Sequence, residues 1–166
     1  MRRFALFLLP LLLTACGDDG RDALCKAVDD NRAAWLKAAR IADAAERDAA
    51  EAAAAAEGRL RLAKAVGEGR IDGWKVATME VSATLPKLGV AKFGLPCAAT
   101  LIAPEINAEP TAFGPAATFK PGDAAVIDGG FARSVDGALP FLEVSVTDRG
   151  LMTDPEFVIR LQRIAR

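Results

Sequence analysis

The chain has 166 residues, 52% of them hydrophobic and 26% charged, with a formal net charge of −1. It contains no His and no Tyr, and its Ser residues are Ser82, Ser134 and Ser145, which excludes Ser-His-Asp and Cys-His nucleophile systems, His-ligated zinc and His general-base chemistry. A charge this close to zero also argues against a nucleic-acid partner, because phosphate-backbone binders are markedly basic.

Arg2 and Arg3 form a short positive region, and the apolar run Phe4 to Leu13 follows, interrupted only by Pro10. That run is about half the ~20 residues a membrane-spanning helix needs, so it reads as a secretion signal. It ends in Leu13-Thr14-Ala15-Cys16, which resembles the lipobox of bacterial lipoproteins. The resemblance implies a signal peptide over residues 1–15, cleavage before Cys16, diacylglycerol on its sulfur and an acyl group on its new amine. It therefore implies a bacterial cell-envelope protein, lipid-anchored and periplasm-facing. Gly17, rather than Asp, follows the Cys; by resemblance to enterobacterial sorting, this favours the outer membrane over the inner. Each buried methylene contributes about 0.8 kcal/mol, so two or three chains hold firmly where one does not. Residues 16–21, with Gly17-Asp18-Asp19-Gly20, read as the acylated Cys and a short solvated tether.

Residues 22–68 form an Ala-rich segment with no Pro before Gly67 and Gly69, and Ala has the highest helix propensity. Asp22/Lys26, Asp43/Arg47, Arg47/Glu51 and Glu57/Arg61 stand at the spacing that supports a helix. Large apolar residues are few: Leu24, Val28, Trp35, Leu36, Ile41, Leu60, Leu62 and Val66. The segment is expected to be either a solvated arm or a closely approaching helix hairpin, broken at Asp29-Asp30-Asn31 or at Gly58. A coiled coil is disfavoured, because no heptad is sustained.

From residue 73 to 166 the composition turns to β-branched residues, Pro and Gly. Five extended stretches are expected: Trp74 to Leu85, Val90 to Ala103, Ala124 to Ser134, Leu139 to Thr147 and Phe157 to Ile164. In the fourth, Leu142, Val144 and Val146 alternate with Glu143, Ser145 and Thr147, as in a half-buried strand. Val135-Asp136-Gly137-Ala138 reads as a hairpin turn and Pro121-Gly122-Asp123 as a second turn. Pro104 to Lys120 is the long irregular connection. The fold class is thus α+β: an Ala-rich N-terminal helical segment followed by a small five-stranded antiparallel β-barrel.

Particular residues carry a further resemblance. Gly73-Trp74, Thr100-Leu101-Ile102, Pro121-Gly122-Asp123, Gly130-Phe131 and the tail Glu143-x-Ser145-x-Thr147-x-x-Gly150-x-Met152-x-x-Pro155-x-Phe157 resemble an OB-fold-like domain of uncharacterised bacterial secreted proteins. This implies architecture and no activity.

Three groups of residues invite chemistry. Cys25 and Cys97 are the thiols left once Cys16 is acylated, and an exported chain favours their pairing. Such a bridge would staple the helical segment to the barrel, contributing about 4 kcal/mol by loop-closure entropy. Asp18, Asp19, Asp22, Asp29 and Asp30 lack the spacing of a calcium loop and read as solvated acids near a helix start. Glu143, Ser145 and Thr147 would form an exposed polar face that could bind a saccharide, and Trp74, Phe93, Phe113, Phe119, Phe131, Phe141 and Phe157 are assigned mostly to the core. No Ser lies in a Ser-x-x-Lys or Gly-x-Ser-x-Gly motif. The reading is a non-catalytic binding or scaffolding module without cofactor, metal site or catalytic residues. Its partners would be the membrane, through Cys16, and an envelope protein or saccharide. A purely structural accessory protein and, third, an enzyme are the alternatives. The barrel is expected to be the folding unit, with the helical segment subordinate to it.

Overall fold

The computed structural model describes residues 19–85, 88–104 and 116–166. The signal run, Cys16, most of the irregular connection and Phe113 lie outside the described residues. Two helices come first, α1 (Asp19–Ala38) and α2 (Ala44–Val66). Along α1 the buried residues are Leu24, Ala27, Val28, Asn31, Trp35 and Ala38, a stripe at helical spacing. Ala55, Gly58, Leu62 and Val66 form the facing stripe of α2. The hairpin reading of the Ala-rich segment is thus the observed one.

Two boundaries differ from those expected. Asp19, Gly20 and Arg21 belong to α1 rather than to a tether, because the helix start is seated on the barrel. Gly20 lies against the Trp74 ring, and Arg21 donates to the Lys75 carbonyl at 3.1 Å. The break between helices falls at residues 39–43, not at Asp29-Asp30-Asn31 or Gly58. Asp43 caps α2 by accepting the Glu46 N–H at 2.9 Å, and Asp-x-x-Glu is the sequence signature of such a start. Asn31 is instead buried mid-helix, its amide donating to the Gly58 carbonyl at 3.2 Å and its carbonyl accepting from Arg61. Gly67, at φ 57°, ends α2 where a glycine was expected to end it.

The strands are β1 (Arg70–Leu85), β2 (Leu88–Gly94), β3 (Thr100–Ala103), β4 (Ala124–Phe131), β5 (Leu142–Glu143) and β6 (Glu156–Ala165), with the short helix α3 (Asp148–Thr153) before β6. Their order is β3-β2-β1-β4-β6, closed by a β3–β6 pairing into a five-stranded barrel, with β5 added on β6. This is the expected α+β, OB-like architecture. The closing pair is parallel, so the barrel is mixed where the expectation was wholly antiparallel. A parallel pair needs a long crossover, and residues 104–155 between β3 and β6 provide the length. The expected strand Val90 to Ala103 is a hairpin, because Pro96 lacks an N–H and the chain turns there, Leu95 N–H donating to the Ala99 carbonyl at 3.0 Å. The Pro121-Gly122-Asp123 turn stands as expected and is tied to β1 through Gly122 N–H and the Thr78 carbonyl at 2.7 Å.

Close approach decides one strand contact. A Cβ on Gly129 would stand 2.2 Å from the Arg160 carbonyl oxygen, so only glycine lets β4 and β6 meet at this bulge. Beside it, Asp128 accepts the Gly73 N–H at 2.6 Å and pairs with Arg163. The Arg163 guanidinium, aided by that N–H, holds the Asp128 carboxyl below its ordinary value against a smaller opposing effect of burial.

One continuous core joins both regions. Leu24, Val28, Leu62 and Val66 from the helices pack with Phe93, Leu101, Ile127 and Ile159 from the barrel. Trp74, Phe131, Phe157 and Phe141 form a chain of edge-to-face contacts with centroids 5.9, 5.7 and 5.5 Å apart. The helices therefore close the barrel rather than merely lean on it. A smaller cluster of Trp35, Ala55 and Met152 fastens α3 to the hairpin. Leu60, one of the few large apolar residues of the helical segment, is 70% exposed.

Candidate functional site

The segment between β4 and β6 builds the most distinctive concave surface. Leu139 to Thr147 was expected as a strand, yet only Leu142 and Glu143 pair with β6. The Glu143 carboxylate accepts the Ser145 N–H at 2.8 Å and the Glu156 N–H at 3.3 Å, which folds the chain back on itself after two paired residues. Thr147 then caps α3, its hydroxyl accepting the Gly150 N–H at 3.0 Å. The expected alternation consequently fails, and Val146, predicted inward, is 98% exposed. Glu143, Ser145 and Thr147 are not one face of a strand.

They do come together. All three line a cleft of about 330 Å³ between the β5–α3 connection and α2. Its apolar wall is Leu139, Phe141, Leu142 and Leu151, and its rim carries Val146. Arg59 of α2 pairs with Asp148 of α3 across it. The opposite edge is the turn predicted at residues 135–138. Ser134 donates to Asp136 at 2.7 Å and accepts the Leu139 N–H at 2.9 Å, while Gly137 adopts φ 71°. The Ser134 hydroxyl and then the Ala138 N–H keep the Asp136 carboxyl below its ordinary value.

Within the cleft, the Ser145 hydroxyl is buried and has no hydrogen-bond partner. An unmade hydrogen bond at a buried hydroxyl costs about 1–3 kcal/mol, so this oxygen is a local site of unsatisfied polarity. No imidazole is available to activate it, and the nearby Glu143 carboxylate is engaged with two backbone N–H groups. The side chains that line the cleft are thus a carboxylate held by backbone N–H groups, an ion pair and an unpartnered hydroxyl. Among the described residues, no group of three or more His, Cys, Asp or Glu could hold a metal ion.

Arg59 and Asp148 were missed because they are 89 positions apart and meet only through α2–α3 packing. The Asp148 position had a faint signal, Thr147-Asp148 being a helix-start dipeptide. Cys25 and Cys97 do form a disulfide, with Cα atoms 5.3 Å apart, joining α1 to the β2–β3 turn. Six of the aromatic residues assigned to the core are buried, and Phe141, although it backs the cleft wall, presents no exposed ring face.

No protein-family model, curated protein or solved structure matches this chain.

Proposed function

We propose that this protein is a non-catalytic binding module of the bacterial cell envelope, held on a membrane by acyl chains on Cys16 and facing the periplasm. The observation that carries this reading is the thiol inventory: Cys25 and Cys97 consume each other, and Cys16, the third of three cysteines, follows directly on the signal-like run. No helix among the described residues is long and apolar enough to cross a membrane; the attachment proposed is a lipid on Cys16. The outer membrane is the favoured destination on the residue that follows Cys16.

Recognition is assigned to the α2–β5–α3 cleft, with the Ser145 hydroxyl as its unfulfilled polar group and a saccharide or an extended segment of an envelope protein as the partner class. A second reading, a structural accessory without a small ligand, draws on the Arg59–Asp148 pair lying across the cleft.

Two measurements test these readings. Cys16→Ser is expected to remove the acyl mass from the mature chain and its membrane association; an unchanged mass and unchanged sedimentation with membranes defeat the anchor. A photocrosslinker replacing Val146 is expected to capture a defined partner in cells, and Ser145→Ala to weaken that capture. Capture unaffected by Ser145→Ala would favour the structural reading.

A further inference from the structure

The three helices converge on a second hollow, of about 400 Å³, which shares no lining residue with the cleft described above. Its floor is Trp35, beside the half-exposed Leu36, and its charged walls are Arg32 of α1, Glu51 of α2, and Arg149 and Asp154 at the two ends of α3. α1 and α2 run antiparallel, with Asn31 bonded to Gly58 and Trp35 packed with Ala55. In that register Glu51 stands level with Ala38 and Ala39, beyond Arg32 by about 10 Å along the axis. α3 runs alongside α1 in the same direction: Asp148 pairs with Arg59, Met152 packs with Ala55, and Asp154 lies farther on, toward Glu51. The hollow is thus polarised, with guanidinium groups at one end, carboxylates at the other and Trp35 between them.

These charges are not spent on one another. Among the described residues, the side chains of Arg32, Glu51 and Arg149 form no hydrogen bond or ion pair, and Asp154 is engaged by the Thr153 hydroxyl alone. Separation is the reason, since each charge has a like charge at its own end and its opposites at the far one. Trp35 is nine-tenths buried, and its indole N–H finds no acceptor among the described residues, although a buried indole ordinarily has one. The fully enclosed unpartnered atoms belong to Thr78 and Ser145, so the Trp35 N–H opens on the hollow that this residue lines. The four lining charges cancel, and Asp29, Arg47 and Asp48, one turn from Arg32 or Glu51, add one negative charge. A simple anion or a simple cation would therefore complete one end and leave the other as it stands.

We propose that this hollow binds an extended peptide of about three residues by its free termini. The carboxylate takes the Arg32–Arg149 end, the ammonium takes the Glu51–Asp154 end, and a peptide carbonyl accepts the Trp35 N–H. An extended chain covers about 3.3–3.6 Å per residue, so three residues match the 10 Å or so between the ends, where a single amino acid falls short. Guanidinium groups suit the planar carboxylate, and the volume falls in the range of about 300–1,000 Å³ usual for small-ligand sites. The site depends neither on the Cys16 anchor nor on the Ser145 cleft.

The test titrates the ¹⁵N-labelled protein with trialanine and follows the indole N–H signals of Trp35 and Trp74, the two tryptophans of the chain, told apart by Trp35→Phe. The Trp35 signal is expected to shift and saturate while that of Trp74 stays in place. N-acetyl-trialanine, trialanine amide and alanine itself are each expected to bind about fivefold or more weakly than trialanine. Arg149→Gln is expected to weaken trialanine by about fivefold and leave the amide unchanged, because the amide has no carboxylate for Arg149 to meet. Absence of a Trp35 shift at about 10 mM trialanine overturns the site. Equal binding of the acetylated and free peptides reduces it to an anion site and overturns the assignment of Glu51 and Asp154, and alanine binding as tightly as trialanine overturns the length.

Discussion

Gly58→Ala tests the packing at the centre of the helical hairpin, because two opposing effects of known size meet at one atom. Gly58 is buried within α2, where alanine would raise helix stability by about 1 kcal/mol. A Cβ at that position would stand 2.5 Å from Met152 Sδ, 2.8 Å from its Cε and 3.1 Å from Asn31 Nδ2. Met152 is fully buried between Trp35 and Ala55, so its tip has little room to retreat. Asn31 is held by its bond to the Gly58 carbonyl. Overpacking of this kind costs about 1–3 kcal/mol, and the strained Asn31 bond adds to it. The net expectation is a loss of about 1–2 kcal/mol. Met152→Ala alone should cost about 2–5 kcal/mol through the cavity it leaves. In that background Gly58→Ala should change sign and stabilise by up to about 1 kcal/mol, since the Asn31 contact is then all that opposes the propensity gain. Urea unfolding of the four proteins at constant m-value measures the coupling, expected at about 2–3 kcal/mol. A stabilising Gly58→Ala in the otherwise native chain would show that α2 and α3 do not meet as described.

Four further outcomes are expected. Removing the Cys25–Cys97 bridge by paired Cys→Ser substitution closes no loop across the sequence separation of 72 and should lower stability by about 4 kcal/mol, measured by denaturant unfolding. Thr78→Val should be neutral or stabilising by up to about 1 kcal/mol in a thermal melt, because the Thr78 hydroxyl is buried with no partner. Asp128 has its folded-state pKa lowered by Arg163, so its contribution is fully present above the ordinary carboxylate value of about 4 and lost as pH falls through the lower folded value; Asp128→Asn should flatten the acid limb of a stability–pH profile and leave a deficit at neutral pH. The chain from Arg70 onward, lacking Leu24, Val28, Leu62 and Val66, should lose its cooperative unfolding transition in calorimetry; a sharp transition would restore the view of the barrel as the independent folding unit.

Local chemistry in the sequence determined a good deal. Ala content and the glycines after Val66 specify the helices and their end, and the Pro and Gly pairs specify the turns at 121–123 and 135–138. The last stretch, Phe157 to Ile164, is extended as expected, and Phe157, Ile159 and Leu161 are buried on it. These are short-range properties of the backbone and of period, and they survive folding unchanged. The Leu139 to Thr147 stretch did not, because its alternation competed with a Glu143 carboxylate that captures two N–H groups, one of them from Glu156. The Cys pairing was legible from the cysteine count and the expectation of export, while its geometry was not.

Tertiary structure alone decided the rest. Whether the Ala-rich segment was an arm or a barrel closure depended on Gly58 admitting Met152 and on Asn31 finding its partners 27 and 30 positions away. The parallel β3–β6 closure depends on a crossover whose ends carry no mark of each other. The cleft exists because α2, β5 and α3 converge, bringing Arg59 to Asp148 and leaving the Ser145 hydroxyl buried without a partner. Periodicity records which face of an element is apolar, but it does not record which other element that face will meet. Contacts of long sequence separation are chosen by shape and by the satisfaction of buried polar groups, and both are defined only once the chain has folded.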